Sequence, residues 1–205
     1  MNQQSQSSGS ADSIAVAIET PLGEIVVRLD AAAPITVANF LHYVDGGFYD
    51  GGRFHRTVRL DNQSNALLHK ADADLGLASG PGAAMPNDAI SIEVIQGGIN
   101  PERKAEQAAP ISLERTSETG LRHHDGTISM ARTTIDSAIS DFFICINDQP
   151  GLDFGGLRNV DGQGFAAFGQ VTSGMEVVRA IQFSPSDGQS LSPVIPINRV
   201  VRRAS

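Results

Sequence analysis

Cysteine is almost missing from this chain: one residue, Cys145, in 205. That excludes an internal disulfide and any cysteine-built zinc site, and it fits a reducing compartment without requiring one. Positive charge is also scarce, with 15 Lys and Arg against 23 Asp and Glu, a net charge of −8. Such a surface does not recruit phosphate backbones or anionic lipid, so neither nucleic acid nor membrane is expected as a partner. No apolar run approaches the roughly 18 residues that a membrane span needs. The N-terminus lacks the basic and apolar parts of an export signal. The expected location is therefore cytoplasmic for the chain as it stands, and periplasmic if an export signal once preceded it. No internal repeat is visible. No glycine-rich phosphate loop precedes a helix, and neither Ser137 nor Ser140 has a Gly-x-Ser-x-Gly setting. Hydrophobic residues still make up 40% of the chain, enough for the core of one globular domain.

Residues 1–12 are Ser/Gln-rich and nearly free of apolar side chains, the composition of a disordered tail or a remnant of cloning. Ile14, Val16 and Ile18 then alternate with small or polar neighbours, the pattern of a strand. A Thr-Pro-Leu-Gly turn at 20–23 leads to a second strand over 25–29. Pro34 opens a helix with Val37, Phe40, Leu41 and Val44 on one stripe, and Gly46-Gly47 stops it. Further strands are expected around Phe54-His55-Arg56, 90–96, 128–131, 142–146, 165–171 and 194–201. A second helix is expected over 174–182, with Met175, Val178 and Ile181 at helical spacing, and irregular chain over 59–91 and 100–109. The expected total is about eight strands and two helices, short and punctuated by turns, which favours a barrel or sandwich.

Four short runs carry the chemistry: Phe54-His55-Arg56, Ile95-Gln96-Gly97-Gly98, Phe142-Phe143-Ile144 and Phe168-Gly169-Gln170-Val171. In this order they resemble the cyclophilins, a family of peptidyl-prolyl cis-trans isomerases. The resemblance covers about residues 13–203, apart from an insertion at about 59–91, and the Asp153-Phe154-Gly155-Gly156 loop looks more like the bacterial branch. It implies a mainly β fold, a closed eight-stranded antiparallel barrel capped by two helices. It implies Arg56 as the donor to the prolyl nitrogen and Gln96 as the residue orienting the substrate. Phe143, Phe168, Leu152, Ala131, Val94 and Phe165 become the substrate-binding residues. The implied partners are proline-containing peptides and unfolded proteins, bound by a monomer without metal or cofactor. The chemistry agrees: rotation about X-Pro faces a barrier of roughly 18–20 kcal/mol and breaks no covalent bond. A catalyst needs only a donor near the nitrogen's developing lone pair and an apolar slot that excludes water.

Phe54, Phe142 and Ile144 are expected to face inward, because strand neighbours alternate. Departures from the family pattern stand at Glu93 and Gly151, where a pocket phenylalanine and a rim tryptophan or phenylalanine are usual. Val94 replaces methionine, Asp141 replaces glutamine, and Phe165 replaces histidine. They imply a smaller, more polar pocket and weak cyclosporin sensitivity, and they leave open a binding module with little catalysis. The insertion separates Arg56 from Gln96 by 40 positions and is expected to form a flap near the groove. His123-His124 on a strand would point to opposite faces, against a shared metal. Asp148, Asp153 and Asp161 are expected to be turn formers. His55 is expected to be structural, and Cys145 a small buried hydrophobe.

Overall fold

The computed structural model describes residues 14–63 and 90–203. The N-terminal tail and most of the 59–91 insertion lie outside the described residues. Ten strands occur among them: β1 (Ala15–Thr20), β2 (Gly23–Leu29), β3 (Gly52–Val58), β4 (Val94–Gly98), β5 (Thr127–Met130), β6 (Phe142–Cys145), β7 (Ala167–Ser173), β8 (Ser186–Asp187), β9 (Ser190–Ile197) and β10 (Arg199–Arg203). Helix α1 spans Pro34–Asp45 and a one-turn helix, α2, spans Thr116–Thr119. Helix α3 spans Met175–Gln182. A 3₁₀ helix, Pro101–Glu106, occupies a stretch whose sequence looks irregular. Its Asn100 side chain accepts from the Glu102 N–H, a cap that short local bonds supply without an apolar stripe.

All ladders are antiparallel, in the order β10-β1-β2-β7-β5-β6-β4-β3-β9-β8. The expected closed eight-stranded barrel is corrected on both counts. Among the described residues no ladder joins the two ends of the sheet. The count rises to ten because the short β8 pairs with the start of β9, and because the final apolar run breaks at Asn198. There the chain changes partner: β9 pairs with β3, β10 pairs with β1, and the Asn198 N–H donates to the Glu19 carbonyl between them. Hydrophobic alternation continues through such a switch, so it is invisible to periodicity.

The sheet separates two apolar clusters. The larger holds Phe40, Tyr43 and Val44 of α1 against Phe54, Phe142, Ile144 and Phe168. Phe40 lies 5.1–5.8 Å, ring to ring, from Tyr49, Phe142 and Phe168. Such aromatic pairs add roughly 0.5–1.5 kcal/mol each beyond burial. The inward assignment of Phe54, Phe142 and Ile144 holds, each 0% exposed. The smaller cluster holds Val58, Ile92, Val94, Phe143, Cys145 and Leu152, with Ala131 and Phe165 packed on it. Alternation along β6 divides the clusters: Phe142 and Ile144 face one, Phe143 and Cys145 the other.

Candidate active site

Strict alternation would put Arg56 on the same face as Phe54, in the core. A bulge prevents this. Phe54 pairs with Gly97 and Arg56 with Gln96, so His55 has no place in the ladder, and the register with β9 shifts at the same point. The extra residue turns Arg56 out to the face that carries Val94, Gln96 and Phe143. The glycine pair after Gln96 serves close approach rather than unusual backbone angles. A Cβ at Gly97 would stand 3.0 Å from the Phe54 ring, and one at Gly98 2.2 Å from an Asp141 oxygen.

Arg56, Gln96, Phe143, Leu152, Ala131, Val94 and Phe165 all line one cavity of about 400 Å³. Phe168 does not. It is 0% exposed in the interior cluster, against Phe40, because β7 turns it to the opposite face from Phe165. The cavity's apolar end is built by Phe143 and Phe165, edge to face at 5.5 Å, with Leu152, Val94 and Ile92. Ile92 escaped the sequence reading because it precedes β4; its signal was the alternation Ile90, Ile92, Val94.

The expected polar intrusion at the two departures does not occur. Glu93 accepts from the side chains of Asn147 and Gln182, and it is not among the cavity's lining residues. At Gly151 a Cβ would lie 2.5 Å from Cγ2 of Ile90, so Ile90 fills space that a rim side chain would need. The described ends of the insertion thus adjoin residues that line the cavity, Ile92 and Leu152. Gln63, 1% exposed, fastens them: its Nε2 donates to the Arg59 and Ile92 carbonyls at 2.8 and 3.0 Å, and its Oε1 accepts from the Ile92 N–H at 3.1 Å.

The Arg56 guanidinium is held by amides. Nε and Nη2 donate to Oε1 of Gln189 at 3.0 and 2.6 Å, and Nη1 donates to Oε1 of Gln96 at 3.1 Å. Burial lowers its pKa somewhat, as removal from water disfavours any charge. Gln189 was missed; it sits in the β8–β9 turn, 133 positions from Arg56, where no motif marks it. The Gln96 Nε2 has no partner among the described residues. His55 lies 3.9 Å from Asp141, and burial pushes its pKa down while Asp141 opposes. A neutral, half-buried imidazole there fits the structural role expected of it.

Behind Phe143 lies a polar array the sequence does not reveal. Asp153 Oδ1 is 2.8 Å from His123 Nδ1, and His123 Nε2 is 3.0 Å from Ser129 Oγ. The carboxylate requires Nδ1–H as donor, so Nε2 accepts from the Ser129 hydroxyl. Burial lowers the His123 pKa against the pull of Asp153, which keeps the ring neutral. The order resembles a hydrolytic triad, but Ser129 is 0% exposed and no substrate can reach it. The His123 ring instead stacks on Phe143 at 6.0 Å and 17° and braces the cavity wall. His123 and His124 do diverge, one buried and the other exposed beside Asp148, although both precede β5 rather than lie on it. Asp153 and Asp161 do sit in turns, where the Asp153 carbonyl accepts from the Gly156 N–H and Asp161 Oδ1 from the Gln163 N–H, but each also anchors a partner: Asp153 holds His123, and Asp161 accepts from both Nη atoms of Arg132 at 2.7 and 2.9 Å. Arg132 lies 5.1 Å from the Phe165 ring and so supports that wall. Cys145 is fully buried, as expected.

Residues 15–202 match the family model described as cyclophilin type peptidyl-prolyl cis-trans isomerase/CLD. Peptidyl-prolyl cis-trans isomerase A of Dickeya dadantii is 36% identical over 168 residues, 81% of this chain and 70% of that protein. An isomerase of Streptomyces antibioticus is 35% identical, covering 89% of this chain and 93% of its own length. In fold, the chain is similar to a cyclophilin-type isomerase of Cryptosporidium parvum, with a TM-score of 0.66 at 20% identity, over 94% of this chain and 99% of that one. The four motifs meet around one cavity or in the core behind it, and both sequence and fold agree with the comparisons. The chain belongs to the cyclophilin-type peptidyl-prolyl cis-trans isomerases, enzymes that rotate X-Pro peptide bonds.

Proposed function

We propose that this chain accelerates X-Pro rotation with Arg56 as donor to the twisted prolyl nitrogen and Gln96 as the group that orients the substrate. The proline ring enters the apolar end of the cavity, between Phe143, Phe165, Leu152, Ile92 and Val94. Ala131 borders the groove along which the preceding residues lie. As the amide twists, conjugation is lost and the nitrogen gains a lone pair. Arg56 keeps two of its five N–H donors unengaged, one on each Nη, to meet that lone pair. Gln96 spends its oxygen on Arg56, so its amide N–H₂ is left for a substrate carbonyl. The apolar wall removes water that would stabilise the planar amide. The observation that carries the reading is Arg56 and Gln96, hydrogen-bonded to each other, in the same cavity as the apolar group of Phe143, Phe165, Leu152, Ile92 and Val94. Substrates are proline-containing peptides and unfolded proteins, bound by a monomer.

The rival reading, a binding module with little catalysis, depended on a pocket spoiled at Glu93 and Gly151. Glu93 bonds away from the cavity and Ile90 fills the space at Gly151, so that ground is removed. The test is isomerisation of a proline tetrapeptide. Wild type accelerates it, and Arg56→Ala lowers kcat/KM by roughly 10²–10³, the usual cost of one preorganised donor. No acceleration by wild type, or an unchanged rate in Arg56→Ala, would overturn the assignment.

A further inference from the structure

We propose that Gln189 is a positioning residue for Arg56, and that the neutrality of its carboxamide matters as much as its place. This rests on Arg56 being the catalytic donor. One oxygen, Oε1 of Gln189, accepts from both Nε and Nη2, and Oε1 of Gln96 accepts from Nη1. Two carboxamides therefore fix the plane of the guanidinium, one from strand β4 and one from the β8–β9 turn. Among the described residues Arg56 makes no ion pair, although nine other arginines do, the nearby Arg59 and the cavity residue Arg132 among them. A carboxylate at position 189 would hold the same plane but cancel the positive potential that the prolyl nitrogen needs. A carboxamide orients the donor and leaves its charge available.

Gln189 is itself fixed. Its carbonyl accepts from the Thr57 N–H at 2.9 Å, one residue beyond Arg56. Its Nε2 lies 3.5 Å from the Asn62 carbonyl, and Asn62 Nδ2 donates to the carbonyls of Gly188 and Thr57 at 3.1 and 3.0 Å. The β8–β9 turn is thus stitched to the strand that carries Arg56, directly beside its bulge. A residue held only for the turn's sake would not aim its side-chain oxygen at the guanidinium.

The experiment measures kcat and KM on a proline tetrapeptide by NMR exchange, for wild type, Gln189→Leu, Gln189→Glu and Arg56→Ala. Amide spectra report the fold, and the Arg56 Nε–H resonance reports the hydrogen bond. Gln189→Leu should lose the protected Nε–H signal and lower kcat about tenfold to a hundredfold, with KM within about a factor of two, because the pocket is untouched. Gln189→Glu should keep the Nε–H signal and still lower kcat, which a merely structural role would not do. Wild-type kcat in Gln189→Leu overturns the positioning role. Wild-type kcat in Gln189→Glu overturns the requirement for a neutral acceptor. If Arg56→Ala retains full activity, the assignment of Arg56 fails first, whatever the position 189 variants do.

Discussion

Gln63→Leu removes a side chain that acts as a missing strand partner for Ile92. The leucine has nearly the same size, so no large cavity opens, but three hydrogen bonds are lost together with a longer one at 3.5 Å from Arg158 Nη1. Ile92 is only 5% exposed, so its N–H and C=O are left largely without water. A net contribution of about 0.5–1.5 kcal/mol per bond, with some penalty for stranded groups, gives about 2–4 kcal/mol of lost stability. Against a total of roughly 5–15 kcal/mol that is a large fraction. With a urea slope near 2 kcal/mol/M the midpoint should fall by about 1–2 M at unchanged slope. The chain has no tryptophan, so far-UV circular dichroism is the suitable probe. Ile92 also lines the cavity proposed for the proline ring, so KM for a proline peptide should rise several-fold while kcat changes less. A midpoint shift under about 0.3 M, or an unchanged KM, would refute the view that Gln63 fastens the pocket wall.

Two further predictions separate core from site. Phe143→Ala and Phe168→Ala should each cost about 3–5 kcal/mol in denaturant titrations, but only Phe143→Ala should raise KM in the folded fraction, since Phe168 faces the interior. Stability should fall as pH drops below about 6.5, because burial lowers the native pKa of His123 below its ordinary 6.5 and the unfolded chain then binds more protons. His55 acts with the same sign. Asp153, held low by His123 and Arg122 although burial alone would raise it, adds a second loss as pH falls below about 3.9. Melting temperatures from pH 7 to 5 should show a slope that is shallower in His123→Gln, and an equal slope in that variant would count against the buried neutral imidazole.

Motifs of three or four residues were enough to single out Arg56 and Gln96, which the structure brings together, because their bonding depends on adjacent strands that both carry strong apolar patterns. The same reading misplaced Phe168. Phe165 lies three residues before Phe168 and its motif, and the course of the chain into β7 shows that one faces the cavity and the other the core. Glu93 misled in the opposite way. A polar residue beside Val94 suggests a polar pocket until its hydrogen bonds to Asn147 and Gln182 place it outside.

By itself the sequence determined the antiparallel strands, both longer helices and the inward set of Phe54, Phe142 and Ile144, because burial on one face of a strand or helix imposes a period that survives any packing. Through the family resemblance it also pointed to Arg56 and Gln96, which the structure brings together. The tertiary structure alone decided the bulge that turns Arg56 out of the core and the break at Asn198. It alone decided the seating of Ile90 over Gly151, the carboxamide of Gln189 on the guanidinium and the His123 array behind Phe143. Each of these depends on a contact between positions far apart in the chain, and neither spacing nor periodicity encodes which distant groups will meet.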